Sequence, residues 1–207
     1  MKKCAFLAVA LSVIPFIAQA ADTSALAQLS TCDSHSLNFL QDSGFTTLIP
    51  HKGEGASLQL QDGKQQGDTT RWLFAKPVVE KGIVLKGFYQ SRMELAGSEF
   101  INWGFYSDQG IEEIAQMLDK EKVGPLTLAG GVYARPEAWS AEREAWVRED
   151  PSDTSGKLVT QGAERVLLIE PLDPNEGLPA KSMVTCSLQG KLSKDILASS
   201  RPDLTPR

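Results

Sequence analysis

The sequence has few of the residues that most often carry catalysis or bind metals. It contains two histidines, His35 and His51, and three cysteines in 207 residues. The motifs G-x-S-x-G, S-x-x-K, H-x-x-x-H and H-E-x-x-H are absent, and no two cysteines are close enough for a paired-cysteine site. These absences argue against the commonest serine-hydrolase and zinc arrangements. We therefore expect no catalytic residues, no metal ligands and no cofactor. The sequence favours a binding protein over an enzyme.

Clusters of positive charge are missing as well. Lys and Arg total 21 against 26 Asp and Glu, which gives a formal charge of −5, and the chain has no run of basic residues. Nucleic acid and anionic lipid both attract Lys and Arg clusters, so neither is expected as the main partner. Beyond the first twenty residues, no stretch is apolar and long enough to cross a bilayer. We expect no membrane insertion once those residues are removed.

The first twenty residues have the three parts of a secretory signal. Residues 1–3 are short and positively charged, residues 4–17 are almost wholly apolar, and Ala18-Gln19-Ala20 supplies the small residues that signal peptidase recognises. The apolar run of about 14 residues is shorter than the roughly 20 of a spanning helix. We predict that residues 1–20 are a cleaved Sec signal peptide, with an uncleaved anchor as the alternative. The expected location is the periplasm, or outside the cell if the protein is released.

The cysteine count fits an oxidising compartment. Cleavage would remove Cys4 and leave Cys32 and Cys186, and loss of Lys2 and Lys3 would change the formal charge from −5 to −7. An even number of cysteines in an exported chain predicts a disulfide. Two buried free thiols are the alternative.

Hairpin signals outnumber crossover signals along the remaining chain. Alternating polar and apolar residues predict strands at 56–61, 69–74, 83–95, 99–106, 126–133, 165–170 and 182–188, with turns at Asp62-Gly63 and Ala96-Gly97-Ser98 and a bulge at Gly130-Gly131. Helical spacing predicts short helices within 23–40 and longer ones at 110–120 and 136–148. We expect one α+β domain over 21–199, a mainly antiparallel sheet of about six to seven strands with two to three helices packed on it. The polar tail 200–207 is expected to fray.

The predicted helix 136–148 carries the most distinctive group of side chains. Trp139 and Trp146 are seven residues apart and would share one helix face, with Arg143 between them. Trp and Arg are the residues that most often anchor interfaces. We regard Trp139, Arg143 and Trp146 as a speculative partner-binding site; the alternative is that both Trp side chains fix the helix to the sheet.

The favoured function is that of an exported, non-catalytic periplasmic protein of the inhibitor, immunity or accessory type. Its partner would be another protein or a component of the cell envelope, and no oligomeric state is predicted. One alternative is a small envelope hydrolase or transferase using carboxylate chemistry, which carboxyl groups with raised pKa values in a cleft would favour. A carrier of a small apolar ligand is a second alternative, and it would need a hollow between sheet and helices.

Overall fold

A computed structural model describes residues 23–150 and 158–206 of the chain. The predicted signal peptide, residues 1–20, lies outside the described residues. The strands are β1 (His51–Lys52), β2 (Gln59–Leu60), β3 (Lys64–Gln66), β4 (Thr69–Glu80), β5 (Ile83–Leu95), β6 (Ser98–Ser107), β7 (Thr127–Ala129), β8 (Val132–Ser140), β9 (Ala145–Arg148), β10 (Ala163–Pro171) and β11 (Ser182–Gly190). The helices are α1 (Ala25–Leu29), α2 (Ser43–Thr46), α3 (Ile111–Lys120) and α4 (Lys194–Ser200), with short 3₁₀ turns at Asn38–Gln41, Gly55–Ser57, Pro174–Glu176 and Pro202–Leu204.

The strands form a large antiparallel sheet and a small one. Nine strands pair in the order β3-β4-β5-β6-β11-β10-β8-β7, with β9 also on β8, while β1 and β2 pair separately. The mainly antiparallel sheet with helices is therefore confirmed. The sheet is larger than the six to seven strands expected, because residues 64–66 and 145–148 also pair and the predicted strand 126–133 is divided between β7 and β8. The predicted strand 56–61 instead contributes β2 to the small sheet. No helix among residues 23–150 and 158–206 is long and apolar enough to cross a membrane.

The hairpin of β5 and β6 shows how local sequence determines pairing. Leu95 pairs with Ser98, which leaves Ala96 and Gly97 as a two-residue turn with φ values of +50° and +78°. Positive φ at both positions gives the turn the twist that a two-residue hairpin needs. The β6 strand lies between β5 and β11 and is therefore a central strand of the sheet.

One face of the large sheet carries the main core. Trp103 and Phe105 of β6 are fully buried on this face. Residues 25–46, from α1 to α2, form an N-terminal helical segment, and its Phe39 packs against Phe105 at 5.0 Å between ring centroids. The expected disulfide is present: Cys32, just after α1, is bonded to Cys186 in β11, with a Cα–Cα distance of 5.4 Å. The bond ties the N-terminal helical segment to the middle of the sheet.

The predicted helix 136–148 is wrong: these residues belong to the β8–β9 hairpin, with a turn at residues 141–144. Pro136 lacks a backbone N–H, which a strand interior usually needs. It is tolerated because β7 pairs with β8 before residue 135 and β9 pairs with it only from Glu137 onward. On that side of the strand, the Pro136 carbonyl accepts a hydrogen bond of 3.1 Å from the backbone N–H of Glu149, just beyond β9, and this pairing does not use the N–H that proline lacks.

Two other turns are also placed differently from the prediction. Gln66 pairs with Thr69, so the hairpin turn lies at Gly67-Asp68 and not at Asp62-Gly63. Gly130-Gly131 is not a bulge inside a strand but the turn between β7 and β8, with φ values of +60° and +84°. Gly67, Gly130 and Gly131 all have positive φ. Glycine is typical of turns and of bulges alike, so the presence of glycine did not show which segment turns.

The expectation of a frayed tail is wrong for residues 200–206. Arg201 is 1% exposed, its guanidinium lies 5.0 Å above the ring of Trp103, and it forms two hydrogen bonds to Asp203. The α4 helix, which the sequence analysis missed, delivers this residue to the core. Its N-cap is Ser193, whose side chain accepts a hydrogen bond from the Ile196 N–H.

Candidate functional site

The structure brings the two predicted interface tryptophans together, but it does not expose them. Trp139 and Trp146 are directly opposite each other in β8 and β9, both are half-buried, and both pack against the main core. The indole N–H of Trp146 donates to Ser199 Oγ at 3.0 Å, and the guanidinium of Arg165 lies 4.9 Å from the ring. Arg143 is exposed in the turn. The arrangement fixes the hairpin and α4 to each other.

A surface groove of about 640 Å³ lies between the N-terminal helical segment and the turn that joins β4 to β5. The residues that line it all have polar or charged side chains, although their carbon atoms form part of the surface: Thr23, Ser24, Gln28, Thr31, His35, Asn38, Asp42, Glu80 and Lys81. The volume falls within the range of about 300–1,000 Å³ that is typical of small-molecule sites. We treat this surface, called the N-terminal groove below, as the candidate functional site.

Glu80 is the carboxyl group that the fold positions most firmly in the groove. It ends β4, and its Oε2 accepts a hydrogen bond of 3.3 Å from the backbone N–H of Leu26 in the first turn of α1. Burial raises the pKa of the Glu80 carboxyl, and the negative charge of Asp42 raises it further, while hydrogen bonds from Leu26 and Ala25 lower it. Glu80 therefore holds a proton more tightly than an exposed glutamate does.

Two neighbouring side chains are free to bind a ligand. Asn38 and Asp42 flank the 3₁₀ turn Asn38–Gln41, and both are exposed. Asp42 makes no capping hydrogen bond with its side chain. Within residues 23–150 and 158–206, neither side chain forms a hydrogen bond or ion pair with the protein. The amide and the carboxylate are thus available to an incoming group.

The positive and titratable groups at the groove have other partners. Lys81 Nζ lies 4.0 Å from Glu121 Oε1, so its charge is partly balanced from outside the groove. The Nδ1 atom of His35 lies 3.6 Å from Asp33 Oδ1, and the His35 side chain is 75% exposed. The groove therefore carries the carboxyl groups of Asp42 and Glu80 beside the ammonium group of Lys81, whose positive charge lowers the pKa of Glu80.

Sequence reasoning assigned no role to Asn38, Asp42 or Glu80. Asp42 and Glu80 are 38 positions apart, and only tertiary packing joins the N-terminal helical segment to the end of β4. Glu112 and Glu113, two acidic residues that are adjacent in the sequence, lie in the first turn of α3 and do not line the groove. The one local hint was the position of Glu80 immediately before the turn at Lys81-Gly82.

A second polar cluster, on the opposite face of the sheet, has a structural role. Tyr89 and Tyr106 stack with ring centroids 5.0 Å apart, and Tyr89 Oη lies 2.6 Å from Thr185 Oγ1. Leu172 is buried against the two tyrosines, and Arg71 donates to Tyr106 Oη at 3.0 Å. Burial raises the pKa of Tyr89 and Tyr106, which keeps both phenols protonated. These contacts hold the start of the loop between β10 and β11 against the sheet.

Neither a search for metal sites nor comparison with known proteins narrows the function further. In the two described ranges, no group of three or more His, Cys, Asp or Glu side chains is arranged to hold a metal ion. Comparisons with protein-family models, with curated proteins and with solved structures found no match for this chain. Function is therefore argued from the geometry of the groove.

Proposed function

We propose that this chain is an exported, non-catalytic protein of the bacterial periplasm that binds another envelope protein. The N-terminal groove would receive a segment of that partner carrying a Lys or Arg side chain. The observation that supports this proposal is that Asp42 and Glu80, two carboxyl groups on separate elements, line one groove beside Lys81, whose Nζ also lies 4.0 Å from Glu121 Oε1.

A cationic side chain would relieve the repulsion between these carboxyl groups. Burial is the main cause of the raised pKa of Glu80; the charge of Asp42 raises this pKa as well, and the charge of Lys81 lowers it. A guanidinium or ammonium group placed between them would favour the ionised form of both. Exposed ion pairs contribute only about 0.2–1 kcal/mol each, so the ammonium or guanidinium group alone would give weak binding.

The uncharged lining supplies the rest of the recognition. Asn38 offers both a donor and an acceptor, the pair of groups that a peptide bond needs. The side-chain amide of Gln28 already makes one hydrogen bond within the protein, because its Nε2 donates to Thr23 O at 3.0 Å. An extended peptide segment with one basic side chain would use both the amides and the acids of the groove.

The alternative of a small hydrolase or transferase has one observation in its favour. Glu80, a carboxyl group with a raised pKa, lines the same groove as His35. Against it, Glu80 already accepts backbone hydrogen bonds that anchor α1. An enzymatic activity that is lost in Glu80→Gln while the fold is retained would favour this alternative. The apolar carrier has no comparable observation in its favour.

The test is periplasmic crosslinking followed by purification of the tagged protein and mass spectrometry of the crosslinked peptides. We expect a dominant partner whose crosslinked peptide contains Lys or Arg. Its recovery should fall by up to about fivefold with Asp42→Asn, as loss of one exposed ion pair allows, and further with Glu80→Gln. The matched control is Glu94→Gln, an exposed position on β5 that does not line the groove. Equal recovery with wild type and Asp42→Asn, or crosslinks remote from the groove, would contradict the proposal.

A further inference from the structure

The short helix α1 is held to the sheet at both of its ends by ionisable side chains. At its first turn, the carboxyl group of Glu80 accepts from the Leu26 N–H at 3.3 Å. At its last turn, Arg135 of β8 donates through Nη2 to the carbonyl of Ser30 at 2.7 Å and to that of Thr31 at 3.3 Å. A carboxyl group at the start of a helix and a cation at its end both match the direction of the helix dipole. The position of α1 therefore depends on the sheet at both ends.

Arg135 is a buried cation whose hydrogen bonds all go to backbone carbonyls. The residue is 5% exposed, and its Nη1 donates to Val123 O at 2.6 Å. Among the residues that the structure describes, Arg135 forms no ion pair with a carboxylate. A buried charge is costly unless hydrogen bonds compensate for it. Undocking of α1 would remove the carbonyls of Ser30 and Thr31 from this guanidinium, so the cost opposes undocking.

The disulfide joins the chain one residue beyond these two carbonyls. Cys32 is bonded to Cys186, and the Cys32 carbonyl accepts from Arg165 Nη1 at 3.5 Å. A disulfide acts mainly by restricting the unfolded chain. The contacts of Arg135, in contrast, exist only while α1 is docked. We therefore expect these contacts, more than the covalent bond, to determine how firmly α1 stays in place in the folded protein.

We propose that Arg135 is a positioning residue of the N-terminal groove and keeps the groove assembled whether or not the Cys32–Cys186 disulfide is formed. Seven of the nine residues that line the groove lie between positions 23 and 42, and Thr31, whose carbonyl Arg135 binds, is one of them. Arg135 itself does not line the groove, so it acts through the position of α1. The importance of this assembly for partner binding rests on the proposed function, whereas the assembly itself does not.

Amide hydrogen exchange of the purified protein, followed by NMR, tests the proposal without any partner. The measured quantity is the exchange rate of the Ser30 and Thr31 amides, which bond within α1, divided by that of the amides of β6, which report global unfolding. We expect Arg135→Met, with the disulfide intact, to raise this ratio about tenfold, as expected for loss of hydrogen bonds to a charged group. The Cys32→Ala, Cys186→Ala variant should accelerate both sets of amides together and change the ratio by less than about threefold.

A conservative variant and a control separate positioning from folding. Arg135→Lys keeps the charge but offers one nitrogen in place of the two that bind the carbonyls, so its ratio should lie between those of wild type and Arg135→Met. It carries the comparison if Arg135→Met does not fold. The matched control Arg143→Met, exposed in the β8–β9 turn, should leave the ratio unchanged.

Three results would overturn the proposal. The first is equal acceleration of the α1 and β6 amides in Arg135→Met, and the second is a wild-type ratio in Arg135→Lys. The third is a ratio that rises as much on loss of the disulfide as in Arg135→Met. Absence of a binding partner would contradict the proposed function and would leave the exchange result unaffected.

Discussion

Trp139 and Trp146 lie directly opposite each other in β8 and β9, with ring centroids 5.3 Å apart and ring planes at 72°. This is the edge-to-face geometry that aromatic pairs prefer. Both rings pack against the main core, and Trp146 also bonds to Ser199 in α4. The pair joins the β8–β9 hairpin to the C-terminal helix, so its first role is structural.

We predict that Trp146→Ala destabilises the protein by about 2–3 kcal/mol in urea unfolding. Fully buried Trp→Ala changes cost about 3–5 kcal/mol, and a half-buried ring loses less contact. Part of the loss is the hydrogen bond from the indole to Ser199, which contributes about 1 kcal/mol. Trp146→Phe should cost clearly less, because it keeps the ring contact with Trp139. A variant that keeps wild-type stability but loses a binding partner would instead support the predicted interface role of these tryptophans.

The hairpin also shows why the sequence misled at this point. Residues seven apart share one face of a helix, yet the same two residues also meet across a hairpin when its turn lies midway between them. Spacing does not distinguish the two arrangements. By contrast, the alternation in β6 and the glycine turn before it admit one interpretation, and there the predicted hairpin is confirmed, with a turn one residue shorter than Ala96-Gly97-Ser98.

The candidate sites were beyond the reach of local patterns. Asp42 and Glu80 meet because β4 ends beside the first turn of α1, and Arg201 meets Trp103 because α4 returns the chain to the sheet. Neither relationship leaves a periodic signal in the sequence. The disulfide was predictable, because two cysteines left in a chain that is expected to be exported favour a bond without any knowledge of the fold.

Loss of the Cys32–Cys186 disulfide should lower stability strongly. The bond spans a sequence separation of 154 residues, for which the chain-entropy model sets an upper figure of about 5 kcal/mol. We expect the Cys32→Ala, Cys186→Ala double variant to unfold at markedly lower urea concentration than wild type. Alkylation of the denatured, unreduced protein purified from the periplasm should add no mass, and alkylation after reduction should add two groups. Addition of two groups without reduction would show that the bond does not form in the cell.

Asp203→Asn should destabilise the protein by about 3 kcal/mol. Breaking a buried ion pair by removing one partner costs about 3–5 kcal/mol, because a buried charge is left without compensation. Here that charge is the guanidinium of Arg201, whose side chain is 1% exposed against 7% for Asp203. The matched control Asp62→Asn, at an exposed position, should change stability by less than about 0.5 kcal/mol.

Removing both members of this pair gives a second check. In Arg201→Met, Asp203→Asn no buried charge remains, and replacement of a buried pair by apolar residues is often close to neutral. The double variant should therefore be more stable than Asp203→Asn alone. If the double variant is the less stable of the two, the contact of Arg201 with Trp103, and not its pairing with Asp203, dominates the energetics.

Glu170 should make the protein less stable as the pH rises. Burial raises the pKa of its carboxyl above the ordinary value of 4.5, and the negative charge of Glu176 adds to the rise, while a hydrogen bond with Thr185 opposes it. The folded state therefore binds a proton more tightly than the unfolded state, and this contribution to stability is fully present below pH 4.5. It is lost as the pH rises through the raised pKa of the Glu170 carboxyl in the folded protein.

Thermal unfolding of wild type and Glu170→Gln should accordingly show a difference that shifts in favour of the glutamine variant above pH 4.5 and then levels off. The exposed control Glu94→Gln should show no such shift, and a difference between Glu170→Gln and wild type that stays constant with pH would contradict the burial of the Glu170 carboxyl.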